Sequence, residues 1–246
     1  MLTRIRRFAG ARRRTQVSSD FRRRRPHLAG VIQNVIGHRL TYLSAGALED
    51  LADVVAEAEM QQIPGSLVEA GTAVGGSAIV LAAAKSPARP LVLYDVFGTI
   101  PPPSETDGAD VRHRYEVITA GAAAGIGGDT YYGYREDLRG DVERNLASFG
   151  IDSERDNVRY VRGLYQDTMP VREPVAIAHL DCDWYESVMT CLTGIAPTLV
   201  PGGRFVIDDY DFWSGCRTAV DEFLSRPEGR RFHVERRARV HLVAAD

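Results

Sequence analysis

SLVEAGTAVGGSAIV, residues 66–80, is the stretch on which the fold turns. Ser66-Leu67-Val68-Glu69-Ala70 reads as a buried strand, and Gly71 to Ser77 as a glycine-rich turn that opens a helix over 77–85. Just upstream, Ile63-Pro64-Gly65 stops an earlier helix in which Leu48, Leu51, Ala52, Val55 and Ala58 recur at helical spacing, with Ser44 placed as its N-cap. Downstream, Pro90 to Asp95 reads as a second buried strand, and strands follow at 157–162, 175–181 and 204–208. Helices are expected at 138–149, closed by Gly150 as a C′ glycine, at 184–196 and at 215–226, where Cys216, Ala219, Val220, Phe223 and Leu224 mark the core face. Strands near 231–236 and 239–244 end the chain as a hairpin. Alternating strands and helices with right-handed crossovers give an α/β fold with a doubly wound, mostly parallel, seven-stranded sheet behind an N-terminal helical cap.

Composition agrees with one sizeable core. The 246 residues are 44% hydrophobic. No apolar run reaches the about 18 residues of a membrane span, and the start lacks the apolar stretch of a secretory signal. Cys182, Cys191 and Cys216 form neither a CxxC pair nor a metal spacing, so reduced thiols and a cytoplasmic location are expected. Charge is unevenly placed. Residues 1–25 carry ten arginines against Asp20 alone, a balance of +9, while the whole chain has a net charge of −3. The segment 1–26 reads as a flexible basic arm: a solvated tail, an Arg-rich presequence, or a contact for anionic lipid, nucleic acid or a partner. The acidic body argues against nucleic acid as the main substrate. Lys85 is the single lysine, a bias typical of a GC-rich bacterial genome.

Residues 98–134 stand out. They include Pro101-Pro102-Pro103, Gly127-Gly128 and Tyr131-Tyr132-Gly133-Tyr134, and read as a long loop inserted after the second strand, with its tyrosines arguing against disorder. A loop of this length in a compact domain is expected to be a lid or binding loop.

Ligands of doubly wound sheets sit at the carboxyl ends of the strands. Those ends read Glu69, Asp95, Asp181 with Asp183, and Asp208 with Asp209, an acidic rim around one crevice. GTAVGG misses the G-x-G-x-x-G dinucleotide fingerprint, and no G-K-[ST] is present for a P-loop. Asp95 is placed to accept hydrogen bonds from a ribose diol, and Glu69 suits a cationic or amino-bearing ligand, which together fit S-adenosylmethionine. Close carboxylates repel one another and lose hydration where a strand surfaces, and a hard divalent cation turns that cost into binding. Asp181, Asp208 and Asp209 are its expected ligands. Asp183 is then a candidate general base, or alternatively the N-cap of helix 184–196. His113 is a second candidate base, whereas His179, inside its strand, is expected as a hydrogen-bonded core histidine. Trp184, Tyr185 and Tyr210 either border the acceptor or simply pack.

These residues resemble the macrocin O-methyltransferase family, the metal-dependent sugar O-methyltransferases of antibiotic biosynthesis. The resemblance covers residues about 40–225 and rests on LVEAGTAVGGSAI, YDVFG, VRGLYQDTMP, HLDCDWYESV and PGGRFVIDDYDFWSGCRTAVDEF in that order. It implies a class I methyltransferase catalytic domain over 66–246, S-adenosylmethionine as donor, Mg²⁺ at the active site, and a sugar or glycosylated acceptor. It places the cofactor near Glu69, Gly71, Thr72, Gly75, Ser77, Asp95, Tyr165, Gln166, Asp167 and Asp181, and implies a helical cap, 27–65, that brings Thr41 and Tyr42 over it. Homodimers are common in the family. Two departures are present: the family's D-S-F-x-G-L-P segment is replaced by Asp95-Val96-Phe97-Gly98 and the insertion, and the arginine-rich arm has no assigned counterpart.

Two rivals remain at the level of sequence. Catechol-type O-methyltransferases share the metal trio but use a lysine three positions after the first aspartate, and here that position is Trp184. A non-catalytic methyltransferase-like binding module is the other, and S-adenosylmethionine titration with and without Mg²⁺ separates it.

Overall fold

The computed structural model describes residues 15–245. Three helices come first: α1 (Ser19–Arg24), α2 (Pro26–Gly37) and α3 (Ala45–Met60). Then follow β1 (Ser66–Ala70), α4 (Gly76–Ala84), β2 (Leu91–Asp95), α5 (Ala109–Thr119), α6 (Leu138–Ser148), β3 (Val158–Arg162), the single turn α7 (Tyr165–Thr168), β4 (Val175–Leu180), α8 (Tyr185–Ile195), β5 (Leu199–Ile207), α9 (Ser214–Ser225), β6 (Phe232–Arg236) and β7 (Val240–Ala244).

The strands form one sheet in the order β3-β2-β1-β4-β5-β7-β6. The first five are parallel and β7 runs antiparallel to both neighbours. β1, β2, β4 and β7 are buried along their whole length because helices cover both faces, which is why they read as continuous apolar runs rather than alternating ones. One face packs on α2, α3, α4 and α6, the other on α8 and α9. The strand order reverses between β1 and β4, and the acidic rim lies at that switch point. No helix among the described residues is long and apolar enough to cross a membrane, and the three cysteines are buried and unpaired.

Three segments differ from the sequence reading. The part of the expected basic arm before Thr15 lies outside the described residues. From there on the chain is folded. Ser18 caps α1 and bonds Glu49 of α3 through its amide (2.7 Å) and hydroxyl (2.8 Å), Phe21 is buried, and Arg24 and Arg25 pair with Asp53 at 2.9 and 3.0 Å. The arginine count hid one apolar anchor and its acidic partners on α3. The insertion 98–134 is likewise not a bare loop. It contains α5, and Ile118, Ala123 and Tyr131 form a small core of their own, joined by Tyr134, whose hydroxyl bonds the Ile118 carbonyl. Finally, the strand expected at 204–208 starts earlier, at Leu199, and Pro201-Gly202-Gly203 is an irregularity inside β5, where the register with β4 jumps between Val175↔Leu199 and Ile177↔Arg204.

Candidate active site

The β1–α4 turn sets the floor of the crevice. Gly71 has φ +91°, and a Cβ there would lie 1.9 Å from the Asp181 carbonyl, so only glycine lets β1 and β4 run out side by side. Gly75 also needs φ +91°, but a Cβ would meet Val142 and Leu146 of α6 at 3.2 Å. The turn and the packing of α6 therefore both call for glycine here. Ser77 is buried within α4.

Asp95 closes the turn from the neighbouring strand. One oxygen accepts from the Thr72 amide and the other from the Phe97 amide, both at 2.7 Å. Burial raises its pKa, and those amides work against the rise. Beneath the turn, Glu69 is fully buried and paired through Oε1 with His179 Nδ1 at 3.1 Å. His179 is therefore the hydrogen-bonded core histidine expected. Burial acts to lower its pKa, yet the Glu69 carboxylate leaves it raised. Glu69 Oε2, Thr72 Oγ1 and His179 Nε2 are buried without a hydrogen-bond partner. Unmet buried polar atoms beside a glycine-lined turn, the Glu69 carboxylate oxygen among them, fit a polar ligand that brings donors, as the ammonium and hydroxyls of S-adenosylmethionine do.

Across the switch point, oxygens of Asp181, Asp208 and Asp209 lie within 4.8 Å of one another. Burial, then the charges of Asp208 and Asp209, raise the Asp181 carboxyl well above the usual range; burial and Asp183 do the same to Asp209. Three convergent carboxylates are a donor set suited to a hard divalent ion. Asp208 also receives Arg239 from the β6–β7 turn.

Asp183 sits next to the trio at φ +58°, and its amide donates to Asp209 Oδ2 at 3.3 Å. Its carboxyl is pushed up to about 8, first by burial and then by Asp181, against the hydrogen bond it accepts from Trp213. It does not cap α8. Trp184 is the N-cap residue there, and the Tyr185 amide is bound instead by Asp107 Oδ1 of the insertion at 2.9 Å. Trp184 itself is buried, its indole donating to the Pro101 carbonyl at 3.0 Å.

A crevice of about 470 Å³ including its open mouth joins these parts, lined by Gly71, Asp95, Asp181 and Asp183 with Tyr165 and Gln166. Tyr132 of the insertion forms another wall, and Tyr42 meets the Tyr132 ring edge-on at 6.1 Å. Thr41 packs on the start of α4, where a Cβ on Gly76 would lie 2.8 Å from the Thr41 Cβ. His113 and Asp167 are among the expected residues that do not line the crevice. His113 is 78% exposed on α5 and faces Glu116 at 3.8 Å, because α5 turns its apolar Val111 and Ile118 inward instead. Asp167 is exposed and off the crevice wall, since the single turn α7 points its neighbours Tyr165 and Gln166 there. Sequence reasoning missed Asp107, Trp213 and Arg239. Asp107 sits in an Asp-Gly pair within the insertion, and no local pattern distinguishes Arg239 from the arginines around it.

The sequence model of the macrocin O-methyltransferase (TylF) family matches residues 11–229. An enzyme of Streptomyces olivaceus, 8-demethyl-8-(2,3-dimethoxy-alpha-L-rhamnosyl)-tetracenomycin-C 4′-O-methyltransferase, is 30% identical over 208 residues, which are 82% of this chain and 73% of that protein. Demethyldecarbamoylnovobiocin O-methyltransferase of Streptomyces niveus is 28% identical over 196 residues, 76% of this chain and 68% of that one. The structure of the O-methyltransferase NovP aligns with a TM-score of 0.69 at 25% identity, over 84% of this chain and 83% of NovP. With its seven-stranded sheet and the match along most of its length, the chain belongs to the macrocin O-methyltransferase family and is an O-methyltransferase of the class I fold.

Proposed function

We propose that this enzyme uses S-adenosylmethionine and Mg²⁺ to methylate a hydroxyl of a sugar or glycosylated metabolite. The observation that carries the reading is the gathering of Asp181, Asp208 and Asp209 within 4.8 Å at the switch point, one wall away from the Gly71 turn. The relative from Streptomyces olivaceus is named for a rhamnosyl-bearing tetracenomycin, which supports a sugar hydroxyl as acceptor.

Glu69 and Asp95 hold the donor, Gly71 lets the backbone approach it, and Tyr165, Gln166 and Tyr132 wall it from water. S-adenosylmethionine supplies the electrophilic sulfonium methyl. Asp181, Asp208 and Asp209 would hold the metal, whose contribution when bound would be to acidify a nearby acceptor hydroxyl. Asp183 takes the proton. Its backbone is held by Asp209 and its carboxyl by Trp213, so it offers one oriented oxygen toward the acceptor. Alignment of donor and acceptor contributes several kcal/mol to lowering the barrier. The insertion 98–134 serves as the acceptor-side lid, and a homodimer is the expected assembly, to be checked by light scattering.

A lysine base of the catechol type has no support here. Trp184 occupies its position, and Lys85 donates to the carbonyls of Ser86 and Asp156. The test is methyl transfer from labelled S-adenosylmethionine to a panel of sugars and glycosides, with EDTA and with Mg²⁺ restored. EDTA should stop turnover and Mg²⁺ should recover it. Metal-independent turnover would refute the metal assignment.

A further inference from the structure

We infer that Arg239 is a resident counter-cation of the acidic trio, which competes with a divalent ion for Asp208 and thereby sets how tightly the site loads. The inference rests on the reading that Asp181, Asp208 and Asp209 hold that ion. The Arg239 guanidinium contacts both oxygens of Asp208, through Nε at 2.5 Å and Nη2 at 3.4 Å. The contact is sheltered: the Arg239 side chain is 15% exposed and that of Asp208 8%. Charge-assisted contact at this depth is strong and little screened by salt.

The position of Arg239 is built rather than incidental. It sits in the turn between β6 and β7, where the Arg237 amide donates to the Arg239 carbonyl at 2.9 Å. Arg237 is anchored on α3, by Asp50 at 3.1 Å and Glu57 at 2.8 Å. Asp50 in turn bonds the buried His241 of β7 at 3.1 Å. On its other side the Arg239 guanidinium lies over the Phe212 ring, 5.2 Å from the centroid. One side chain is thus aimed at the trio by a clamped turn and an aromatic face.

Electrostatics decides the consequence. A guanidinium beside the carboxylates offsets their mutual repulsion while the site holds no ion. An incoming dication then meets a fixed positive charge and an Asp208 whose oxygens are already engaged. The opposite role is also physically defined. A partner that merely oriented Asp208 as a ligand would tighten metal binding, and its loss would weaken it. The two roles differ in sign.

Mn²⁺ titration followed by electron paramagnetic resonance of the free ion, on the full chain without donor, reads that sign. Arg239→Gln should bind Mn²⁺ on the order of tenfold more tightly than the wild type, and its metal-free Tm should fall. Arg239→Lys keeps the charge and should stay within about threefold of the wild type. Unchanged or weaker binding in Arg239→Gln overturns the inference. If that variant does not fold, Arg239→Lys decides: binding within that limit supports the counter-cation role, and any loss beyond it overturns that role in favour of an orienting one. A wild type whose Mn²⁺ binding is absent, or is untouched by Asp208→Asn, refutes the metal assignment itself, a result distinct from a wrong sign at Arg239.

Discussion

Replacing Asp183 by Asn removes one ionisable proton and almost no volume. Asn tolerates the left-handed backbone, φ +58°, that this position requires, and its amide oxygen can still accept from Trp213. The wild-type carboxyl is pushed up from 3.8 to about 8, first by burial and then by Asp181. A carboxyl whose folded pKa lies above its unfolded value stabilises the fold fully below the unfolded value, and that contribution is lost as pH rises toward the folded one. Between pH 5 and 7 the metal-free wild type should therefore lose up to about 1.4 kcal/mol per pH unit from this group, a loss that Asn does not suffer. Asp183 keeps some contact with solvent, so about 1–3 kcal/mol over that interval is the expected growth of the variant's advantage. Urea unfolding in EDTA at several pH values, variant minus wild type, measures it. A difference that stays flat with pH would refute the account of Asp183 as a buried carboxyl facing Asp181. With metal and both substrates, the same variant should lose about 10²–10⁴-fold in kcat while Mn²⁺ affinity stays near that of the wild type, since a base is lost and no ligand is. Near-normal kcat would remove Asp183 from the chemistry.

Asp107→Ala should cost about 2–4 kcal/mol in urea unfolding, because the amides of Ser104 and Tyr185 and the Ser104 hydroxyl all lose a buried acceptor, and hydrogen exchange should rise across 98–134. Gly71→Ala should leave little folded protein by circular dichroism, since its Cβ would overlap the Asp181 carbonyl at 1.9 Å; Gly150→Ala, at φ +76° with open space around it, should cost only about 1 kcal/mol. Asp95→Ala should weaken S-adenosylmethionine by about 1–3 kcal/mol in isothermal titration, and unchanged affinity would take Asp95 out of the donor site.

Much of this enzyme is legible in one dimension. Helix-covered parallel strands must be apolar on both faces, so β1, β2 and β4 announce themselves as short continuous apolar runs, and glycine turns and hairpin spacing order the rest. Because parallel strands all point the same way, an acid at the end of each run is enough to gather Asp95, Asp181, Asp208 and Asp209 at one edge. Local chemistry carries no such vector elsewhere. α5 buries only Val111 and Ile118 fully and is otherwise mostly polar, so its helix depends on the small core it makes with Ala123 and Tyr131. Asp183 reads equally well as cap or base until the chain turns through φ +58° and Asp107, 78 residues earlier, takes the Tyr185 amide. Arg239 is one arginine among many until the antiparallel return of β7 carries it back to Asp208, 31 residues before it. Strand ends converge by topology, which the order of residues encodes. Which distant side chain meets them is decided by packing, which only the folded chain supplies.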